Sequence, residues 1–268
     1  MSGLRLIQVP YHLGRENVVL GAGPAPLAEA IGGESVVVER KDPPYNEIYA
    51  TFDVVRQLAA AVRETVTDER FPLVLAGNCH SAMGTVAGLD RELGVVWFDA
   101  HGDFHTPDSS PTGFIDGMAL ALVTGEGWAE LRRSVDGLRR VPEEHVVLVG
   151  ARDLEPTEEE RLAASAVTRA DTASLERALG ELAERVDEVY VHIDLDVLDP
   201  TAGKANDWAV DGGLTASELD EALASILARF DVPAAAFTAY DPRFDPEGRV
   251  PQIAATLARR LAPEAVAP

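Results

Sequence analysis

The sequence holds one cysteine, Cys79, in 268 residues, so an internal disulfide is excluded. That fits a reducing compartment. Lysine is almost as scarce, with Lys41 and Lys204 alone. Positive charge is short overall: 23 Lys and Arg stand against 45 Asp and Glu, a net charge of -22 at pH 7. Such a chain repels nucleic-acid phosphates and anionic membranes, which argues against both as partners. It steers cations favourably, although carboxylate runs such as Glu158-Glu159-Glu160 read as solvated helix faces. No run approaches the ~20 apolar residues that span a bilayer. The first residues, MSGLRLIQVPYHLGREN, lack the longer apolar core of a signal peptide. The expectation is a cytoplasmic protein. With 46% hydrophobic and 25% charged residues, the composition is that of an ordinary globular chain.

Short apolar, β-branched runs alternate with longer helical patterns. Strands are predicted over 4–9, 35–38, 73–76, 95–99, 146–150, 166–168, 188–194 and 234–239. LVLAG, VVWFDA and VVLVG show no polar alternation. Strands buried on both faces read this way and belong to parallel sheets covered by helices. Helices are predicted over 48–67, 81–89, 172–185 and 216–229, with apolar residues at three- and four-residue spacing. Thr215 and Glu218 have the form of a capping box, and Asp171 or Thr172 is placed to start the helix before it. The repeated order predicts one doubly wound α/β domain over 1–268. The segments 106–117 and 198–213 read as loops, each after a strand that ends in acids. In open parallel sheets, ligands bind beyond the carboxyl ends of the strands.

Three segments carry chemistry at that edge. They are Gly77-Asn78-Cys79-His80-Ser81, Asp99-Ala100-His101-Gly102-Asp103-Phe104-His105, and His192-Ile193-Asp194-Leu195-Asp196-Val197-Leu198-Asp199-Pro200. Asp99, His101 and Asp103 are two apart and share a face in extended backbone, as do Asp194 and Asp196. Four carboxylates at the buried end of a sheet need cations, because unpaired buried charge costs several kcal/mol or more. With lysine absent nearby, a divalent metal pair answers that need. Four carboxylates and two imidazoles make a mostly hard site that suits manganese, with nickel, cobalt, iron or zinc as alternatives. Two ions about 3.5–4 Å apart lower the pKa of a shared water toward neutrality.

At these residues the sequence resembles the arginase, agmatinase and formiminoglutamase family, the ureohydrolases. The family's segments GGDHS, DAHxDxN or DAHxDxH, and (S/T)FDxDxxDP are here GNCHS, DAHGDFH and HIDLDVLDP. Gly21-Ala22-Gly23-Pro24 is similar to the family's early turn, Val149-Gly150-Ala151-Arg152-Asp153-Leu154-Glu155-Pro156 to its IGLRDxDP segment, and Gly212-Gly213-Leu214-Thr215 to its GGLT segment. The resemblance implies a three-layer αβα sandwich around a central, mostly parallel eight-stranded sheet, in a homo-oligomer. It implies two Mn2+ ions: one held by His80, Asp99, Asp103 and Asp194, the other by His101, Asp99, Asp194 and Asp196. It also implies hydroxide attack on the guanidinium or amidine carbon of a small cationic substrate, releasing urea or a similar product, with Asp103 bonding the hydroxide.

The departures bear on substrate. Where arginases have the histidine of SGNLHG, this chain has Asp116 within Thr112-Gly113-Phe114-Ile115-Asp116-Gly117. Where arginases and agmatinases have a glutamate before xNP, it has Ala239. His105 is a replacement proton donor or a loop hydrogen bonder. Asp116 pairs with a cationic substrate or caps a helix starting near Gly117. Asp241 is a shifted guanidinium partner or a turn opener. Thr112, Asp153 and Glu155 match substrate-contacting positions. His192 is support for the ligands or a satisfied core histidine, and Cys79, in place of an aspartate, reads as a buried small hydrophobe. Two other readings stand beside a ureohydrolase: a non-catalytic metal-binding protein on this fold, and an N-hydroxyarginine-type amidinohydrolase of secondary metabolism. A deacetylase-type two-metal hydrolase is disfavoured by the GGLT and RDxxP segments.

Overall fold

The computed structural model describes residues 3–41 and 46–262. Its main sheet contains β1 (Leu4–Val9), β2 (Glu34–Val37), β3 (Phe71–Ala76), β4 (Gly94–Phe98), β5 (Val146–Val149), β6 (Thr168–Ala170), β7 (Val189–Asp194) and β8 (Ala235–Thr238). The order across the sheet is β2-β1-β3-β8-β7-β4-β5-β6, and every neighbouring pair is parallel. A small antiparallel hairpin, Tyr11–His12 with Arg15–Glu16, follows β1.

The helices are α1 (Pro24–Ile31), α2 (Glu47–Thr67), α3 (Ala82–Leu89), α4 (Ala119–Thr124), α5 (Ala129–Arg133), α6 (Pro156–Ala164), α7 (Leu175–Ala183), α8 (Ala216–Leu227) and α9 (Arg249–Leu261). They cover both faces of the sheet. One apolar cluster joins Val74, Val95, Trp97 and Leu148 to Phe52, Leu58, Met83 and Leu120 of α2, α3 and α4. The other joins the alternate strand residues Leu73, Leu75, Val96, Phe98 and Ile193 to Leu27, Leu179, Leu223 and Leu257 of α1, α7, α8 and α9. Successive strand side chains thus enter different cores, which is why the strands lack polar alternation. The three-layer αβα sandwich is the architecture expected from the sequence.

Local chemistry fixes the helix ends. Thr215 Oγ1 accepts the Glu218 N–H and the Glu218 carboxylate takes the Thr215 N–H, so the predicted capping box forms. Helix α7 begins later than predicted. Asp171 Oδ1 accepts the Ser174 N–H at 2.9 Å and closes a turn, and the helix follows from Leu175. Glu158 departs from the solvent-facing expectation: it is buried, and its Oε1 accepts the Phe104 N–H at 2.9 Å. Glu159 and Glu160 remain exposed. No described helix is long and apolar enough to cross a membrane.

Candidate metal centre

Four neighbouring strands in the sheet interior, β3, β8, β7 and β4, deliver their carboxyl ends to one place. Strand β3 leads to Cys79 and His80, β4 to Asp99, His101 and Asp103, β7 ends on Asp194 ahead of Asp196, and β8 leads to Ala239. Close backbone approach makes the junction. A Cβ on Gly77 would lie 2.3 Å from the Tyr11 carbonyl oxygen and 2.8 Å from the Gly21 nitrogen. A Cβ on Gly23 would lie 2.0 Å from the Tyr240 carbonyl oxygen. The early Gly21-Ala22-Gly23-Pro24 turn is therefore wedged against the ends of β3 and β8, where only glycine fits.

Asp99 and Asp194 sit at the middle of the cluster. Asp99 Oδ2 accepts from Trp97 Nε1 at 3.0 Å, and its Oδ1 accepts from the His101 N–H at 2.8 Å. His101 Nδ1 lies 3.3 Å from Asp99 Oδ1 and 3.5 Å from Asp196 Oδ2. Asp194 Oδ1 accepts the Asp196 N–H at 2.8 Å, which bends the chain so that Asp196 returns to the Ala100 N–H at 3.3 Å. Ligand atoms of Asp99, His101 and Asp196 all lie within 4.8 Å of one another, as do those of Cys79, Asp99 and Asp194.

His80 and Asp103, the other two predicted ligands, fall in neither of these ligand-atom groups. Both are buried, and His80 Nδ1 and Asp103 Oδ2 have no hydrogen-bond partner. His80 Nδ1 is 3.2 Å from Asp116 Oδ1 but is not aligned with it as a hydrogen bond. Asp103 adopts φ +47, a left-handed conformation that L-residues other than asparagine and aspartate rarely take. Its main-chain oxygen is held in that turn by the Leu120 N–H at 3.0 Å and the Ala121 N–H at 3.2 Å.

The electrostatics ask for positive charge. Burial, and then the neighbouring carboxylates, raise the pKa of Asp103 and Asp194 well above the usual range. Burial also raises Asp99, against the His101 bond that lowers it. For His101, burial is outweighed by the Asp99 bond and the charge of Asp196, and its pKa is pushed up to about 9. Buried carboxylates this close together favour any group that brings positive charge among them. Two orphaned buried atoms and four crowded carboxylates fit divalent ions.

Behind the donors runs a buried polar chain. Tyr190 Oη meets His192 Nδ1 at 2.9 Å, His192 Nε2 meets Thr238 Oγ1 at 3.3 Å, and Thr238 Oγ1 meets Cys79 Sγ at 3.1 Å. The thiol then donates to Asp194 Oδ2 at 2.9 Å. Burial, then Asp194, push the Cys79 thiol up, so it remains a protonated donor. Cys79 is buried within the apolar cluster, as its reading as a small hydrophobe expects, and its thiol is also a polar partner of a candidate ligand. Burial drives His192 down to about 3, and its neutral ring stacks on Trp97 at 3.6 Å between centroids. His192 is at once a satisfied core histidine and a support for the ligands.

Comparison with known proteins decides the family. The Arginase family model matches residues 22–265. The arginase of Bacillus caldovelox is 31% identical, over 96% of this chain and 97% of its own. The solved structure of that arginase, at pH 5.6, superposes with TM-score 0.86 and 30% identity, covering 97% of this chain and 98% of its own. The chain belongs to the arginase family. A formimidoylglutamase from Bacillus subtilis, 16% identical with TM-score 0.77 over 98% of this chain and 87% of its own, shares the fold.

The departures from the arginase-family pattern touch one another. Asp116 replaces the loop histidine and Asn78 replaces the second glycine of GGDHS, and Asn78 Nδ2 donates to Asp116 Oδ2. Asp116 Oδ1 accepts the His80 N–H at 3.2 Å. Burial disfavours the charge on Asp116, but the His80 and Asn78 contacts outweigh it and hold its pKa low. The side chain makes no helix-cap bond. Its carboxylate serves His80 rather than capping the turn near Gly117. Asp241 opens a turn, accepting from the Arg243 N–H at 3.1 Å and pairing with the Arg243 guanidinium. Ala239 stands at φ +61 with its carbonyl taken by Asn206 Nδ2 at 2.8 Å. The same Asn206 amide donates to Asp196 Oδ2 at 3.1 Å, so one side chain ties Asp196 to Ala239, a residue 33 positions beyond Asn206.

The outer residues fall into place around this. His105 is buried, with Nε2 2.7 Å from Glu155 Oε2 in a charge contact and Nδ1 3.3 Å from Ser109 Oγ. Asp153 Oδ2 is 3.8 Å from His101 Nε2. Thr112 is exposed, and its Oγ1 accepts the Phe114 N–H at 3.2 Å. Arg152, in the same segment, reaches the main-chain oxygens of Asp196 at 3.0 Å, Val210 at 2.8 Å and Gly150 at 3.2 Å, tying the 198–213 loop to the sheet. Arg152→Ala strands those carbonyls and is expected to cost roughly 3 kcal/mol. Urea denaturation checks this, and a loss below ~0.5 kcal/mol would show the contacts idle.

Proposed function

We propose that this arginase-family chain binds two divalent ions, manganese by donor type, and hydrolyses a small guanidino compound to urea or a similar product. Membership of the family makes it a hydrolase of amidine or guanidino C–N bonds. His80, Asp99, Asp103 and Asp194 would hold one ion, and His101, Asp99, Asp194 and Asp196 the other. Bound in this way, the ions supply Lewis acidity and acidify water near neutral pH.

The chain's own groups divide the remaining work. Asp103, whose Oδ2 has no other partner, accepts a proton from the attacking water. His105, backed by Glu155, donates a proton to the leaving amine. Asp116 keeps His80 in the ligand orientation. Asp153, Glu155 and Thr112 border the approach, and the acids favour a cationic guanidinium over an anion. The whole chain, 1–268, works as one arginase-like domain. The observation that carries the reading is the pair of orphaned buried atoms, His80 Nδ1 and Asp103 Oδ2, beside the Asp99–His101–Asp196 group.

The test is product release from a panel of arginine, N-hydroxyarginine, agmatine, 4-guanidinobutyrate and simple alkylguanidines, with manganese-loaded protein. Turnover of at least one, lost on chelation and regained on reloading, is expected. A panel without turnover would sink the reading and leave a non-catalytic metal binder.

A further inference from the structure

The two loops over the centre meet through an aromatic pair that the chemistry above does not use. Phe114 of the 106–117 loop stacks on Trp208 of the 198–213 loop, with centroids 5.9 Å apart and planes 22° from parallel. Trp208 is 43% exposed, an unusual state for so large an apolar ring. Each ring is anchored to a ligand position. Phe114 precedes Asp116, which holds His80, by two residues. Trp208 follows Asn206, which holds Asp196, by two residues, and its N–H is fixed to Asn206 Oδ1 at 2.8 Å. The His12 ring lies 6.3 Å from Phe114, centroid to centroid. Each ring is thus two residues from a side chain that contacts a donor, which places the stack beside the centre.

Its position changes what the rim can recognise. Phe114 occupies the asparagine place of SGNLHG, so a hydrogen-bonding side chain has become an apolar ring. On the other rim, Asp153 and Glu155 are more than half exposed and present negative charge. On the Trp208 side, Lys204 is 3.6 Å from Asp207 and sits over Phe244, and Arg243 is paired with Asp241. Exposed acids disfavour a carboxylate tail, and stacked rings offer area to carbon.

We infer that Phe114 and Trp208 form an aromatic wall at the entrance, selecting a guanidino substrate whose far end is apolar and carries no carboxylate. This rests on the hydrolase reading above and specifies its substrate class. Each methylene laid against the wall and out of water improves binding about fourfold.

The experiment is calorimetric binding to the manganese-loaded holoprotein of four compounds: guanidine, n-pentylguanidine, arginine and 4-guanidinobutyrate. Pentylguanidine is expected to bind at least ~10-fold tighter than the other three. The double variant Phe114→Ala, Trp208→Ala should erase that advantage and leave unsubstituted guanidine within ~2-fold, while Trp208→Phe should keep most of it. Persistence of the tail preference in the double variant overturns the inference. So does a preference for arginine or 4-guanidinobutyrate; Arg15, within charge range of His12, would then be the group to replace. Tight guanidine binding with no tail effect rejects the wall alone, whereas no binding of any guanidine rejects the hydrolase reading and the wall with it.

Discussion

Asp99→Asn is expected to lower turnover by on the order of a thousandfold or more and to remove metal from both positions. The side chain is 1% exposed and its two oxygens accept from Trp97 Nε1 and the His101 N–H, so the amide matches the shape but can accept only one of those bonds. What it lacks is the charge that, in the proposed centre, both ions would need. The substitution also removes one of the crowded carboxylates that burial disfavours. The metal-free variant should therefore melt close to the metal-free parent, since burying one fewer charge offsets the one N–H bond the amide cannot accept. The parent should gain stability with manganese and the variant should not. Thermal melts with and without metal, beside a product assay, check both halves. Activity within ~10-fold of the parent would contradict the shared-ligand assignment.

Asp116→Ala has the second largest expected effect, through His80 rather than through substrate. Without the Asp116 carboxylate, His80 loses the contact to its main-chain N–H and the charge beside Nδ1, and Asn78 loses its acceptor. Removing an outer partner of a metal-holding histidine typically weakens metal binding ~10–100-fold. Activity measured against manganese concentration should shift to higher metal by that factor and recover at saturation, with KM for the guanidino substrate little changed. A raised KM that saturating manganese does not correct would instead place Asp116 against the substrate's cation.

The parallel sheet was legible because its strands are apolar on both faces, and each predicted strand lies in it. The agreement is loosest at β6, read over 166–168 and found at Thr168–Ala170. It is a short edge strand whose polar residues give no buried run to mark its ends. Helix α9 is missing from the sequence reading; its Pro251 falls in the first turn, where a missing N–H costs nothing. The ligand candidates were legible because alternation along a strand end is local. Their supports were not. Asn206, Thr238, Tyr190 and Arg152 reach the centre from loops and strands that only the fold brings together, and no spacing rule links them. Glu158 misled for a related reason: an acidic run names a solvated face but does not say which member receives a buried N–H.

The central claim is a paired metal centre, and counting metal tests it most directly. After manganese loading and desalting, elemental mass spectrometry should find about two ions per chain, fewer in His101→Ala. One ion or none in the parent, or an unchanged count in the variant, would contradict the account.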